Sequence, residues 1–184
     1  MGKIRNQSRR HNYGPSSLQI IWTLASKEKN PALREKMNGL PPPYILKALG
    51  DFDLDPCAPI DRPWPVAKKH YTYLDNGLML PWEGRVFCNP PYGKHLIHWL
   101  EKCAMHKNVI ALTFARTETH AFHNFVWPCA KGMFFPRGRL KFFSADGQEG
   151  DAAGAPSVLI AYNDSNAQAL KQLELKGKFI ALNG

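Results

Sequence analysis

The stretch Arg85-Val86-Phe87-Cys88-Asn89-Pro90-Pro91-Tyr92-Gly93 runs from a short apolar segment into two prolines and an aromatic ring. Its first four residues predict a strand, with Asn89 where the strand gives way to a loop. The prolines fix φ and remove two backbone donors, which leaves carbonyls as the polar groups of the turn. The side-chain oxygen of Asn89 and the carbonyl of Pro90 can both accept hydrogen bonds from one planar exocyclic amino group. Tyr92 adds a flat face on which a base can stack. A plain proline turn with Tyr92 covering the core is the alternative, so the flanking segments have to decide.

Downstream, residues 95–107 predict an amphipathic helix with Leu96, Leu100, Cys103 and Ala104 on one face and Glu101, Lys102 and His106 toward water. Residues 109–114 form an apolar run without alternation, as parallel strands covered on both faces do. A helix over 118–127 is stopped by Pro128. Strands follow at 132–135, 140–143 and 157–162, then a helix capped by Asp164 or Ser165 and running to 175, and a last strand at 179–182. Upstream, a short helix over 44–49 ends at Gly50, and residues 52–55 read as a strand. Pro56, Pro59, Pro63 and Pro65 exclude a helix through the next segment. Residues 69–73 read as a strand and Asp75-Asn76-Gly77 as a turn. This order predicts an α/β fold with a mostly parallel sheet and an antiparallel C-terminal edge. The loops after Asp55 and Asn89 then both lie at carboxyl ends of strands, where ligands of such sheets bind.

The chain of 184 residues is large enough for one domain with its own core, and its 44% apolar and 21% charged content is that of a globular protein. A net charge of +9 favours a polyanionic partner. Residues 1–17 hold Lys3, Arg5, Arg9, Arg10 and His11 with no acidic side chain and are expected to form a flexible basic arm. Residues 18–184 are expected to be the single domain, with 24–42 an inserted surface segment. No apolar stretch approaches the roughly 18 residues of a membrane span, and no apolar signal core follows the basic start, so a cytoplasmic protein is expected. Cys57, Cys88, Cys103 and Cys129 lack metal-site spacing and read as buried reduced thiols. The pairs His95/His98 and His120/His123 lack a third ligand, so no metal site is expected.

Asn-Pro-Pro-aromatic is the motif of amino-directed methyltransferases. With Trp22-Thr23, Pro42-Pro43-Tyr44-Ile45, Phe52-Asp53-Leu54-Asp55-Pro56-Cys57-Ala58, Asp75-Asn76-Gly77-Leu78, Trp82-Glu83-Gly84-Arg85-Val86, Gly138-Arg139-Leu140-Lys141-Phe142 and Ala155-Pro156-Ser157-Val158-Leu159-Ile160-Ala161-Tyr162, the chain closely resembles the phage-type DNA N-6-adenine methyltransferases, the phage Dam family. The resemblance implies a Rossmann-like methyltransferase fold, S-adenosylmethionine as methyl donor and adenine in DNA as acceptor. It implies that Asn89, Pro90, Pro91 and Tyr92 hold the target adenine and that Asp55, Pro56, Cys57, Ala58, Trp22, Thr23 and Asp75 serve the cofactor. Asp-Asn-Gly is equally a turn signal, so Asp75 carries both readings. Lys94, Arg116, Arg139 and Lys141 are candidates for DNA phosphates, or simply solvated cations.

Two departures from the family pattern are plain. No glycine-rich loop follows Asp55, and an insertion separates Thr23 from Pro42. The 34 positions from Asp55 to Asn89 admit at most one abbreviated crossover, so the N-terminal half of the fold is expected to be shortened. With no room for a separate recognition domain, sequence specificity is then expected to come from loops, or to be slight. The same tetrapeptide also serves RNA and protein-glutamine methyltransferases, and a DNA-binding relative without activity is the remaining alternative.

Overall fold

In the computed structural model, residues 39–182 are described. The expected basic arm, the cofactor candidates Trp22 and Thr23, and most of the expected insertion lie outside these residues. The described elements are α1 (Pro43–Leu49), β1 (Leu54–Asp55), β2 (Lys69–His70), β3 (Val86–Cys88), α2 (Leu96–His106), β4 (Val109–Phe114), α3 (His120–Phe125), β5 (Gly132–Pro136), β6 (Lys141–Phe143), β7 (Glu149–Ala152), β8 (Ser157–Ala161), α4 (Asp164–Lys171) and β9 (Gly177–Ala181). Seven strands form one sheet in the order β2-β1-β3-β4-β8-β5-β9, and β6 and β7 pair as a separate ribbon.

From β2 to β4 the sheet is parallel, and β8, β5 and β9 continue it in antiparallel pairings. The late strand β8 is inserted beside β4, with Ile110 opposite Ala161 and Phe114 opposite Ser157. Alternation along β4 divides the core. Val109 and Ala111 face one side with Trp99, Leu100 and Cys103 of α2 and Phe122 of α3. Ile110 and Leu112 face the other with Ile45 and Leu49 of α1 and Leu170 of α4. Both faces are thus covered, which is why β4 and β8 carry apolar side chains at successive positions.

Several local expectations are refined. Helix α3 is shorter than the 118–127 pattern: Thr119 caps its start by accepting from the Phe122 N–H, and it ends at Phe125. The cap of α4 is Asn163, whose side chain accepts from the Asn166 N–H, not Asp164 or Ser165. Asn163 takes the role because its backbone is extended, as a cap residue's must be, while Asp164 is already helical. Strand β7, with every residue exposed, escapes an apolar-pattern reading. Residues 40–42 are buried rather than part of a surface insertion, and Leu40 bridges to Phe143 of β6.

Lys102 is the clearest correction. Its ammonium does not lie in water: it donates to the carbonyls of Gly77 (3.0 Å), Leu78 (2.8 Å) and Leu80 (2.6 Å) and sits 5.0 Å from the centre of the Trp82 ring. The Trp82 indole N–H also donates to the Gly77 carbonyl. His106 likewise turns back, bonding the Gly84 carbonyl and packing edge-on against Trp82. One cation thereby satisfies three carbonyls of a segment with no regular structure between β2 and β3. Replacing Lys102 by Met keeps the stem and removes the donors. The expected loss is about 2–4 kcal/mol of unfolding free energy, read by urea denaturation, with faster amide exchange across residues 75–81. Unchanged stability would show that the three carbonyls do not depend on the ammonium.

Candidate functional site

Strands β1 and β3 are parallel neighbours, with Leu54 opposite Val86, and they lead into the two segments singled out by sequence. The chain reaches β2 on one side of β1 and β3 on the other, so the direction of winding reverses between β1 and β3. A crevice opens outside the carboxyl ends of strands at such a reversal. The structure thus brings Asp55-Pro56-Cys57-Ala58 and Asn89-Pro90-Pro91-Tyr92 together: the Cys57 and Cys88 sulfurs are 3.9 Å apart.

Asn89 is buried, and its amide is oriented by one contact. Its Nδ2 donates to the Gly39 carbonyl at 2.8 Å. Only the NH2 end of an amide can donate to a carbonyl, so Oδ1 is left as the acceptor, and this buried oxygen has no partner. Tyr92 stacks on Phe114 with ring centroids 4.0 Å apart and planes 4° from parallel. Its hydroxyl is also buried without a partner, and burial raises its pKa. Pro90 is buried and Pro91 half-buried. An unpaired acceptor and an aromatic ring on one short loop have the chemistry to receive a planar group that donates from its edge.

At the end of β1, Asp55 is only 4% exposed. Burial pushes its carboxyl up to about 7, against the opposing pull of hydrogen bonds from Cys57 and the charge of Arg62. The backbone N–H of Cys57 donates to Oδ1 at 3.1 Å. Burial also raises the Cys57 thiol to about 11, so it is protonated at neutral pH and no nucleophile. The Ala58 N–H donates to the Tyr71 carbonyl. Beside this loop, Arg62, Trp64, His70 and Ala145 help line a groove of about 550 Å³.

Asp75 closes its own turn: one carboxylate oxygen accepts from the Thr72 N–H at 2.8 Å and from the Thr72 hydroxyl at 2.9 Å. That turn nonetheless abuts the loop after β1. A Cβ on Gly77 would fall 1.9 Å from the Pro56 carbonyl oxygen, so only glycine permits the approach. The four candidate phosphate contacts are all exposed. Lys94 and Arg116 follow β3 and β4 at the carboxyl end. Arg139 and Lys141 lie on or beside the ribbon, where Arg139 donates to the Ala153 carbonyl and Lys141 pairs with Glu149 at 2.5 Å.

Two contributors escape the sequence pattern. Phe114 reads as the last residue of an apolar strand, although an aromatic at the carboxyl end of the neighbouring parallel strand is a usable signal. The Gly39 carbonyl has no signal at all, because a backbone acceptor 50 positions away leaves no mark on composition or period. Among the described residues no group of three or more His, Cys, Asp or Glu side chains is arranged to hold a metal ion. No described helix is long and apolar enough to cross a membrane.

The site therefore defines an α/β domain with a buried, unpartnered acceptor and a stacked aromatic pair at the carboxyl ends of adjacent parallel strands. Residues 43–175 match the family described as DNA N-6-adenine-methyltransferase (Dam), and the chain belongs to that family. The match runs from α1 through α4 and includes both loops of the crevice. No curated protein and no solved structure matches the chain.

The raised pKa of Asp55 has a measurable consequence. A carboxyl with a folded-state value above its unfolded value favours folding while protonated. That stabilisation is complete below about pH 4 and is lost as pH rises through about 7, a swing on the order of 4 kcal/mol. Asp55→Asn keeps an acceptor for the Cys57 N–H and removes the titration. Thermal unfolding between pH 4 and 8 should show a falling midpoint for the parent and a flatter profile for the variant. Parallel profiles would show that the Asp55 carboxyl is not raised above its unfolded-state value.

Proposed function

We propose that the chain transfers a methyl group from S-adenosylmethionine to N6 of adenine in DNA, with the base held by Asn89, Pro90, Pro91 and Tyr92. The observation that carries this reading is the Asn89 amide: its NH2 is committed to Gly39, and its buried oxygen lacks a donor. The N6 amino group of adenine is such a donor. In this reading Asn89 Oδ1 and the Pro90 carbonyl each accept one N6 hydrogen, which orients the nitrogen lone pair away from both. Tyr92, backed by Phe114, carries the ring on its remaining face.

N6 is not approachable within a stacked duplex, so the adenine is extruded before it is bound. Holding the extruded base in a fixed attitude supplies most of the rate, since positioning alone is worth several orders of magnitude. The apolar surroundings exclude water from a step in which charge is dispersed. No covalent nucleophile is required, in keeping with the protonated Cys57.

The fold is read as Rossmann-like, with the crossover between β1 and β2 reduced to a proline-rich loop. The residue types at the crevice suit the cofactor. Asp55 ends β1 and Asp75 lies in the turn beyond β2, at a strand end where carboxylates accept from ribose hydroxyls or an ammonium group. When bound, S-adenosylmethionine supplies an electrophilic methyl group on a positively charged sulfur. A cation near Asp55 favours its ionised form and lowers its raised pKa. Asp55→Ala should therefore weaken cofactor binding in a direct titration while circular dichroism stays unchanged. An intact protein that binds no cofactor would instead support the inactive DNA-binding alternative.

Asn89→Ala removes the unpaired acceptor. Methyl transfer to duplex DNA should fall by about two orders of magnitude or more, with cofactor affinity nearly unchanged. A variant that retains full turnover would remove this loop from the active site. Parallel assays on DNA, RNA and protein with labelled methyl donor should place the label in DNA adenine.

DNA affinity should come largely from neutralised phosphates, given the net charge of +9. Binding to unrelated duplexes should decline linearly on a log–log plot as salt rises. Deleting residues 1–14 should reduce the slope by about 0.9 for each phosphate that the arm neutralises. A slope unchanged by the deletion would assign the basic arm to solubility alone.

A further inference from the structure

Charge is unevenly distributed along one edge of the sheet. Strand β5 runs antiparallel to β8, which runs antiparallel to β4, so β5 ends at the edge where β3 and β4 end. Strand β9 is antiparallel to β5 and therefore starts there. Between β3 and β9 the loops of this edge hold Lys94 after β3, Arg116 after β4, Arg137 and Arg139 after β5, and Lys176 before β9. Among the described residues, the acidic side chains of the same loops are Glu118 and Glu174. All five cations are exposed. The described ion pairs are Lys68–Asp53, His98–Glu101 and Lys141–Glu149, so none of the five is neutralised by a pair. The Arg137 N–H donates to the Lys176 carbonyl at 2.8 Å, which sets these two residues side by side although they are remote in sequence. Gly138, at φ +83°, makes the turn that separates Arg137 from Arg139. Toward β1 and β2 the cation excess disappears: Asp55 ends β1, Asp75 lies beyond β2, and Asp61 offsets Arg62 in the loop between them.

Resting on the assignment of the site to DNA adenine, we propose that this row of cations is the docking surface for duplex DNA on one side of the target adenine, with Arg137 and Lys176 as its outermost phosphate contacts. From β3, which leads into Asn89, to β9 there are four strand spacings, about 19 Å. At about 3.4 Å of rise per base pair in B-form DNA, that is roughly five or six base pairs. The duplex follows the edge toward β9 and away from β1 and β2, because phosphates are drawn to unpaired cations and repelled by carboxylates. Lys141, engaged by Glu149 on the ribbon, is no part of the row. The positively charged methyl donor suits the carboxylate end, so charge sorts the two substrates along a single edge. The described domain therefore grips one flank of the target and leaves the other without a matching set of cations.

The test compares two double variants of the full chain that remove equal charge. One joins Arg137→Gln to Lys176→Gln. The other joins Lys47→Gln, in the last turn of α1, to Lys107→Gln, just before β4, and touches no residue of the row. All four positions are exposed, so both variants should melt with the parent. Binding to a duplex that carries the target adenine is titrated at rising salt. The Arg137/Lys176 variant should lower the log–log slope by about 1.8, two phosphates at about 0.9 each, and the Lys47/Lys107 variant should leave it unchanged. Arg137→Lys with Lys176→Arg should restore the slope. Cutting the duplex to about two base pairs beyond the adenine should weaken parent binding more on one side than on the other. The Arg137/Lys176 variant should respond alike to both cuts. An equal loss of slope in both double variants would show that net charge alone acts, and no loss in either would show that these side chains meet no phosphate. Either result, with the parent still methylating DNA adenine, overturns the docking surface and leaves the site's assignment standing. Tighter binding of duplex RNA with the same change in slope would overturn DNA as the partner. A parent that methylates no DNA and binds it without salt dependence would overturn both readings.

Discussion

Parallel pairing of β3 with β1 on one side and β4 on the other is the constraint on which the site depends. It aligns three carboxyl ends, so that Asp55, Asn89 and Phe114 terminate neighbouring strands. Had the short strand β1 been joined to the sheet antiparallel, its carboxyl end would point away from Asn89. The crevice would not exist even with every motif residue unchanged. Strand β8 continues the sheet antiparallel beside β4, with its first residue, Ser157, opposite Phe114.

Ladders of two residues do little to hold a site. Strands β1 and β2 share only the pairs Leu54–Lys69 and Asp55–His70, and rigidity is supplied by polar anchoring instead. Lys102 gathers the carbonyls of the segment before β3. Arg85, just before β3, donates to the carbonyls of Leu49 and Asp51 and to Asn166, with its guanidinium over the Phe52 ring. The two cations anchor a half-domain too short to contain a full crossover helix. Such anchoring suits a site that must leave polar atoms unpaired, because the strain of those atoms is offset by well-satisfied groups nearby.

Much of the fold is legible because the sheet is buried on both faces. Strand β4 reads at its full length, and β3, α1 and α2 to within a residue or two, since apolar runs and helical spacing are local signals. The antiparallel share of the sheet reads as a C-terminal edge and takes in β8, β5 and β9. Legibility ends where the deciding partner is remote. Lys102 reads as solvated because its helical position faces outward, yet its long stem reaches carbonyls 22 to 25 residues earlier. Residues 40–42 read as insertion because the proline run they enter carries no periodicity, although the segment is buried and its preceding carbonyl serves Asn89. The ribbon strand β7 is invisible because an exposed edge needs no apolar pattern.

By itself the sequence determined the chemistry on offer. Asn-Pro-Pro-Tyr after an apolar strand specifies an amide oxygen, prolyl carbonyls and a ring within four positions, and covalent spacing alone keeps them together. Alternating elements determined that the chain would build an α/β sheet. Only the tertiary structure decided how those groups are disposed: which end of the Asn89 amide is bonded, and which ring backs Tyr92. Those choices depend on the Gly39 carbonyl and on Phe114, brought to Asn89 and Tyr92 by strand register and by the packing of the segment before α1. Register is set by the packing of the whole core, and no local pattern encodes it.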